Sequence, residues 1–165
     1  MKAFDVLQEL FVGYLNLSPN QIWAYNNDFK IPNKQGIFIV LELVNVRPFA
    51  NNLRYKTDEN NNFVSEQYVL VESEIIVHFF SKNTEARENH LKFLLAFNSD
   101  LCQQIQENNQ CHIARTSDLF DASSVEGASN LTRYDIRVKV ITGETATISP
   151  NYYDNFEDIE SQFEQ

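Results

Sequence analysis

Apolar residues at spacings of three and four predict three helices. The first stripe lies near the N-terminus, and Ser18-Pro19 ends it. Its members are Phe4, Leu7, Leu10, Phe11, Tyr14 and Leu15. A second stripe, which follows the capping residues Asn83-Thr84, consists of Ala86, His90, Phe93, Leu94 and Phe97. Ser99 then predicts the cap of a short third helix with Leu101 and Ile105 facing inward.

Longer apolar runs predict strands. Ile37–Val46 is almost continuous in apolar and β-branched residues, which indicates a strand covered on both faces. Pro48 and Asn51-Asn52 predict a turn after it, and residues 57–62 predict the tip of a hairpin. The second arm, residues 63–80, would span ~59 Å at ~3.3 Å per residue. We therefore expect a ribbon that protrudes beyond the sheet.

Alternation along two strands separates apolar from charged positions. In the second hairpin arm one face consists of Val69, Val71, Ile75, Val77 and Phe79, and the other of Tyr68, Leu70, Glu72, Glu74, Ile76 and His78. In residues 131–141 the core face consists of Tyr134, Ile136, Val138 and Val140, and the outward face of Arg133, Asp135, Arg137 and Lys139. Short strands are predicted at 22–25 and 111–114, with a polar loop over 116–130.

The order of these elements predicts an α+β fold. Its sheet is expected to be mostly antiparallel, to carry a long protruding β-hairpin and to pack against two to three helices. A length of 165 residues corresponds to one domain. We expect this domain to cover residues 1–148, followed by a flexible acidic tail over residues 149–165.

Charge and composition exclude several classes of protein. The net charge is −10, and the stretch from Glu144 to Gln165 has six acids and no base, which disfavours bulk binding to nucleic acid or anionic membranes. The four glycines are too dispersed for a phosphate-binding loop. Two cysteines make no disulfide framework, and acids in the first apolar stripe argue against a signal peptide. We therefore expect a soluble protein of a reducing cytoplasm, with no membrane partner.

Candidate chemistry is sparse. The possible zinc ligands His90, Cys102, Cys111 and His112 lack compact ligand spacing. Glu72 and Glu74 lie ~7 Å apart on one strand face and could act as an acid–base pair, but pairing with the basic strand face is favoured. No catalytic, metal or cofactor site is predicted.

An interaction surface is predicted instead, because Ile76 and Phe80 are expected to be exposed apolar residues on an otherwise polar ribbon, which suggests burial by a partner. The predicted subunit or partner interface consists of Glu72, Glu74, Ile76, Phe80, Arg133, Arg137 and Lys139.

Three stretches resemble the phage neck and tail terminator proteins. The first is the extended Ile22-Trp23-Ala24-Tyr25-Asn26-Asn27, which leads through Ile31-Pro32-Asn33 into the apolar strand from Gly36 to Val46. The second is Ile75-Ile76-Val77-His78-Phe79-Phe80 before a polar helix start. The third is Arg133-Tyr134-Asp135-Ile136-Arg137-Val138-Lys139-Val140, which runs into an acidic end.

The resemblance implies a non-enzymatic virion subunit. It implies a homo-oligomer that closes into a hexameric ring between the head–tail connector or adaptor protein and the tail tube protein. Such a ring stops tube polymerisation and lets DNA pass through its lumen without specific binding. It is assembled in the cytoplasm of the bacterial host.

Two other classes of function stay open. The acidic tail also suits a small binding protein that inhibits a nucleic-acid enzyme by mimicking phosphate charge. The third possibility is an enzyme whose site residues are assembled only in space.

Overall fold

Three long strands form the centre of the molecule. The computed structural model describes residues 2–25, 34–57, 63–126 and 129–148. Its helices are α1 (Lys2–Leu15), α2 (Glu85–Ala96) and α3 (Asp100–Asn109), with a 3-10 turn at Pro19–Gln21. Its strands are β1 (Ile22–Ala24), β2 (Ile37–Thr57), β3 (Phe63–Ser81), β4 (Cys111–Arg115), β5 (Phe120–Asp121), β6 (Ser124–Glu126) and β7 (Ser129–Ile148).

The strands form a mixed sheet in the order β1-β2-β3-β7-β4. Only the β1–β2 pair is parallel among the described strands, and the short strands β5 and β6 also pair with β7. The predicted α+β class with a mostly antiparallel sheet is therefore confirmed.

The helices cover one face of the sheet and form the core with it. The largest buried cluster joins α1, α2 and α3 to side chains of the central strands. The strand residues in this cluster include Ile39, Leu41, Ile75, Val77, Phe79, Tyr134, Ile136, Val138 and Val140. The alternation of residues 131–141 thus correctly predicts the inward face of β7. We call this side of the sheet the helix face.

Local capping explains where α2 and α3 begin. The Ser99 hydroxyl accepts a hydrogen bond from the Cys102 backbone N–H at 3.1 Å, so the predicted cap of α3 is confirmed. At α2 the Thr84 side chain makes no capping bond. Instead, the Glu85 N–H donates to Asn83 Oδ1 and the Ala86 N–H donates to Ser81 Oγ.

The predicted turn at Pro48 and Asn51-Asn52 is wrong, because β2 continues through these residues in register with β3. β2 is two residues longer than β3, and the register shifts beside Val44 and Phe49 absorb this excess as bulges. No described strand pairs with the outer side of β2 beyond Leu41. An outer strand tolerates proline, because the missing N–H breaks no ladder bond when it faces away from the neighbour.

β3 has neighbours on both sides along almost its whole length. It pairs with β2 from Phe63 to Ser81 and with β7 from Ser65 to Ser81. The predicted hairpin is therefore part of a three-stranded layer, because β7 continues to Ile148 and not only to Ile141. The predicted 116–130 loop contains β5 and β6. Of the tip predicted at 57–62, Thr57 ends β2 and residues 58–62 lie outside the described residues, as does the predicted tail at 149–165.

Stacked aromatic rings hold α2 on the sheet, and this contact gives a test of the core. The Phe93 ring is fully buried and stacks on Phe79 with ring centroids 4.5 Å apart. We expect Phe93→Ala to lower the free energy of unfolding by about 3–5 kcal/mol, because it removes a large buried side chain. Leu91→Ala on the same helix is the control, since Leu91 is 61% exposed. Urea denaturation measures both, and equal losses would contradict this account of the core.

Candidate interaction surface

The sheet face opposite the helices carries the charged residues that alternation assigned to the outside. Cross-strand register sets their positions. On β3, His78 lies between Val40 of β2 and Asp135 of β7, and Ile76 lies between Glu42 of β2 and Arg137 of β7. Side chains of β2, β3 and β7 therefore form one continuous polar surface. We call it the charged face.

Two of the predicted ion pairs lie on this face. Lys139 Nζ donates a hydrogen bond to Glu72 Oε1 at 3.0 Å. Arg137 Nη1 lies 3.6 Å from Glu74 Oε1, and its side chain remains 57% exposed. Both pairs are diagonal across β3 and β7. Glu72 and Glu74 are therefore charge partners of Lys139 and Arg137. The sequence analysis favoured this pairing over a role in acid–base chemistry.

A second network connects all three central strands. Arg133 forms a bidentate pair with the Asp135 carboxylate, with Nε–Oδ1 and Nη2–Oδ2 distances of 2.8 Å. His78 lies between two carboxylates, with Nδ1 at 2.9 Å from Asp135 Oδ1 and Nε2 at 2.9 Å from Glu42 Oε2. Arg133, which was predicted as part of the interface, thus pairs within its own strand and not with Glu72 or Glu74.

These contacts change the acid–base properties of the network. Burial alone would raise the pKa of Asp135, but hydrogen bonds and charge from His78 and Arg133 hold it below the ordinary value of 3.8. The hydrogen bond to Asp135 raises the pKa of Arg133 above its ordinary value. Asp135 is therefore an anion at neutral pH.

The His78 ring can satisfy its neighbours in two ways. With protons on both nitrogens it donates to Glu42 and to Asp135. With a proton on Nε2 alone it donates to Glu42, and Nδ1 accepts from Arg133 Nη2 at 2.8 Å. Both ring nitrogens have a protein partner in either case. The network is suited to joining strands.

Phe80 was predicted to be exposed, and this is wrong. It is 3% exposed and belongs to a second buried cluster on the charged-face side, with Phe38 and Val40. Trp23 of β1 stacks on Phe38 at 5.4 Å between ring centroids, and Phe38 lies 5.9 Å from Phe80. Local periodicity does not reveal that Phe80 is buried, because Trp23 packs against this cluster only when β1 is paired with β2.

Two open depressions border these groups. One, of about 340 Å³, is lined by Tyr25, Val40, Glu42, His78, Phe80, Leu131 and Arg133. The other, of about 410 Å³, lies where Ile76 and Arg137 meet the loop around Leu119 and Phe120. Ile76 is half-buried in this depression. Residues of the same chain therefore cover part of the side chain that was predicted to contact a partner.

The two thiols lie away from this face. Cys102 is buried on α3, and Cys111 begins β4. Burial raises the pKa of both thiols, which favours the unreactive protonated form at neutral pH. Within the described ranges, no group of three or more His, Cys, Asp and Glu side chains is placed to hold a metal ion.

Comparison with protein-family models and with curated proteins gives no relative from which a function could be transferred. No protein-family model matches the sequence, and no curated protein matches it significantly. In the described part of the chain, no helix combines the length and the apolar character needed to cross a membrane.

The depressed pKa of Asp135 predicts how stability depends on pH. Its ionised form stabilises the fold above the ordinary carboxyl pKa, and this contribution is lost as the pH falls through the folded-state pKa. We expect Asp135→Asn to lower the free energy of unfolding at pH 7 by about 1–2 kcal/mol, a low figure because Arg133 is partly solvated. The difference from the native chain should shrink below about pH 4.

Denaturation with urea across this pH range measures the effect. Asp118→Asn is the matched control, because Asp118 is exposed. If Asp135→Asn lowers the free energy of unfolding by the same amount at neutral and acidic pH, the ionised carboxylate of Asp135 is not the cause of the stabilisation.

Proposed function

We propose that this chain is a structural subunit that works by self-association, and that it forms the ring of a phage neck as a tail terminator-like protein. In this role copies of the chain close into a ring, expected to be a hexamer, between the head–tail connector and the tail tube. DNA passes through the lumen without specific binding. The resemblance in sequence supports the neck assignment, and the surfaces below support self-association.

The observation that carries the proposal is the outer edge of β2. Beyond Leu41 this edge has no strand partner within the described ranges. An unpaired strand edge offers backbone donors and acceptors to a second chain. Between the bulge at Phe49 and the end at Thr57, the strand pairs with β3 without further irregularity. This stretch is long enough for a strand of a neighbouring copy.

Two exposed apolar residues on β2 add to the contact surface that this edge offers. Val44 and Phe49, the bulged residues, are 46% and 49% exposed. Bulges protect an edge from indiscriminate pairing because they bend it locally. A partner must therefore fit the bulges, and their apolar side chains supply area that such a partner buries.

A ring requires a heterologous contact, in which this edge meets a different surface of the next copy. We propose that the charged face borders this contact, because it contains the exposed cation Arg137 beside Glu74. Charge pairs at the border of a contact set orientation and partner choice more than affinity. The net charge of −10 on each copy suits a lumen that does not retain DNA.

The edge gives the first test. We expect the native chain to self-associate as its concentration rises, measured by light scattering after size exclusion. The double variant Val44→Lys/Phe49→Lys should weaken association at least ~10-fold, because a charge on an edge opposes strand addition. Leu91→Lys is the control, since Leu91 is an exposed apolar residue on α2, away from this edge. A native chain that remains monomeric at every concentration would refute self-association.

The charged face gives the second test. Arg137→Glu places a like charge beside Glu74, so we expect association to weaken about tenfold. The free energy of unfolding should change by less than about 1 kcal/mol, because exposed ion pairs contribute little. Arg115→Glu, an exposed cation on β4, is the control. An oligomer profile unchanged by Arg137→Glu would remove the charged face from the contact.

A further inference from the structure

One depression on the charged face combines apolar and charged walls. Ile76, Leu119 and Phe120 supply its apolar surface, and polar and charged side chains complete the lining. Phe120 is 68% exposed, and its register with Asp135 places it on the charged face. We call this depression the rim pocket. Exposed apolar surface bordered by charge is characteristic of a contact site.

The rim pocket and the outer edge of β2 lie on opposite sides of the sheet. β5 borders the pocket and pairs with β7, and β3 separates β7 from β2. The bulged Phe49 follows Pro48, which is opposite Val71, five residues before Ile76 on β3. Five residues correspond to ~17 Å along the strand, and β2 lies ~10 Å from β7. Phe49 therefore does not reach the pocket of its own chain, whereas a neighbouring copy can present its β2 edge there.

We propose that Phe49 on the β2 edge of one copy inserts into the rim pocket of the next copy. This proposal rests on the proposed self-association, for which it supplies the surface that the β2 edge meets. The partner is a second copy of this chain.

The chemistry of the pocket suits an aromatic ring. Its volume is about 410 Å³, and a cavity of ~150 Å³ already holds a benzene ring. The Phe120 ring offers an aromatic contact. The exposed guanidinium of Arg137, which also lines the pocket, offers a cation to the ring face. Phe49 is 49% exposed in the isolated chain, so the contact removes further apolar surface from water.

Opposite charges flank the two parts of this contact. Asp118 lines the pocket and is exposed. Arg47 precedes Phe49 by two residues, and its register with Glu72 places it on the charged face. Glu72 is already bonded to Lys139. In the described part of the chain, neither Arg47 nor Asp118 forms an ion pair. Insertion of Phe49 brings the cation of one copy towards the anion of the next, and such a pair sets the orientation of a contact.

The positions of the two parts decide the kind of assembly. A contact between opposite sides of the sheet is heterologous, so it repeats from copy to copy and can close into a ring. Pairing of two β2 edges with each other would be isologous, would stop at a dimer and would not use the rim pocket. The two arrangements therefore respond differently to variants of the pocket.

Side-chain truncation on both parts tests the contact, measured on the full-length chain by light scattering after size exclusion. We expect Phe49→Ala and Phe120→Ala each to weaken association at least ~10-fold, because each removes an aromatic anchor. Leu53→Ala is the matched control and should change association less than about threefold. Leu53 is 54% exposed on the same strand as Phe49, and its register with Gln67 places it on the helix face.

Charge reversal tests the flanking pair. Asp118→Arg should weaken association about 5- to 10-fold, and Arg47→Asp/Asp118→Arg should restore it to near the native strength. Arg54→Asp/Asp118→Arg is the control, because Arg54 lies on the same face of β2 but five residues beyond Phe49. Equal restoration by both double variants would show that net charge, and not this pair, controls association, and would overturn the assigned orientation.

Mixing two defective variants identifies the kind of contact. Phe49→Lys retains the pocket and Phe120→Lys retains the inserting ring, so neither should assemble alone and an equimolar mixture should form a 1:1 complex. A mixture without this complex would overturn the proposal. Native-strength association of Phe120→Lys alone would also overturn it and leave self-association standing. A native chain that is monomeric at every concentration would refute self-association and this contact together.

Discussion

Pairing of β3 on both sides is the constraint on which the rest of the structure depends. The register of β3 with β7 is unbroken from Ser65 to Ser81. The two bulges that interrupt its pairing with β2 both belong to β2. Because strand side chains alternate strictly unless a bulge intervenes, one register assigns every β3 residue to a face. It places Ile75 and Val77 under the helices and His78 on the charged face. The bulges occur in the outer strand, where they leave the central ladder intact.

The charged face is organised by the cost of leaving buried polar groups without partners. His78 is buried, and its position between Glu42 and Asp135 satisfies both ring nitrogens. Within the described residues, every buried side-chain nitrogen and oxygen has a hydrogen-bond partner. Groups that are already paired gain little from a new partner. The outer edge of β2 beyond Leu41 has no strand partner among the described residues, so a new contact would gain most there.

The β2 edge and the charged face present different chemistry. The β2 edge offers backbone hydrogen-bonding groups beside the apolar bulges Val44 and Phe49, which suits another strand. The charged face, in contrast, offers side chains that already have partners, above backbone groups that are paired in the three-stranded ladder.

The sequence by itself determined the helices, the α+β class and the inward face of β7, because local periodicity records which side of an element is buried. It also placed Glu72, Glu74, Arg137 and Lys139 on one side of the sheet. It failed where the answer depended on pairing between distant segments. Only the tertiary structure carried β2 through Pro48, buried Phe80 beneath the β1–β2 pair and joined His78 to Glu42 and Asp135. The physical reason is that strand register brings together residues far apart in the chain, and no local pattern encodes that register.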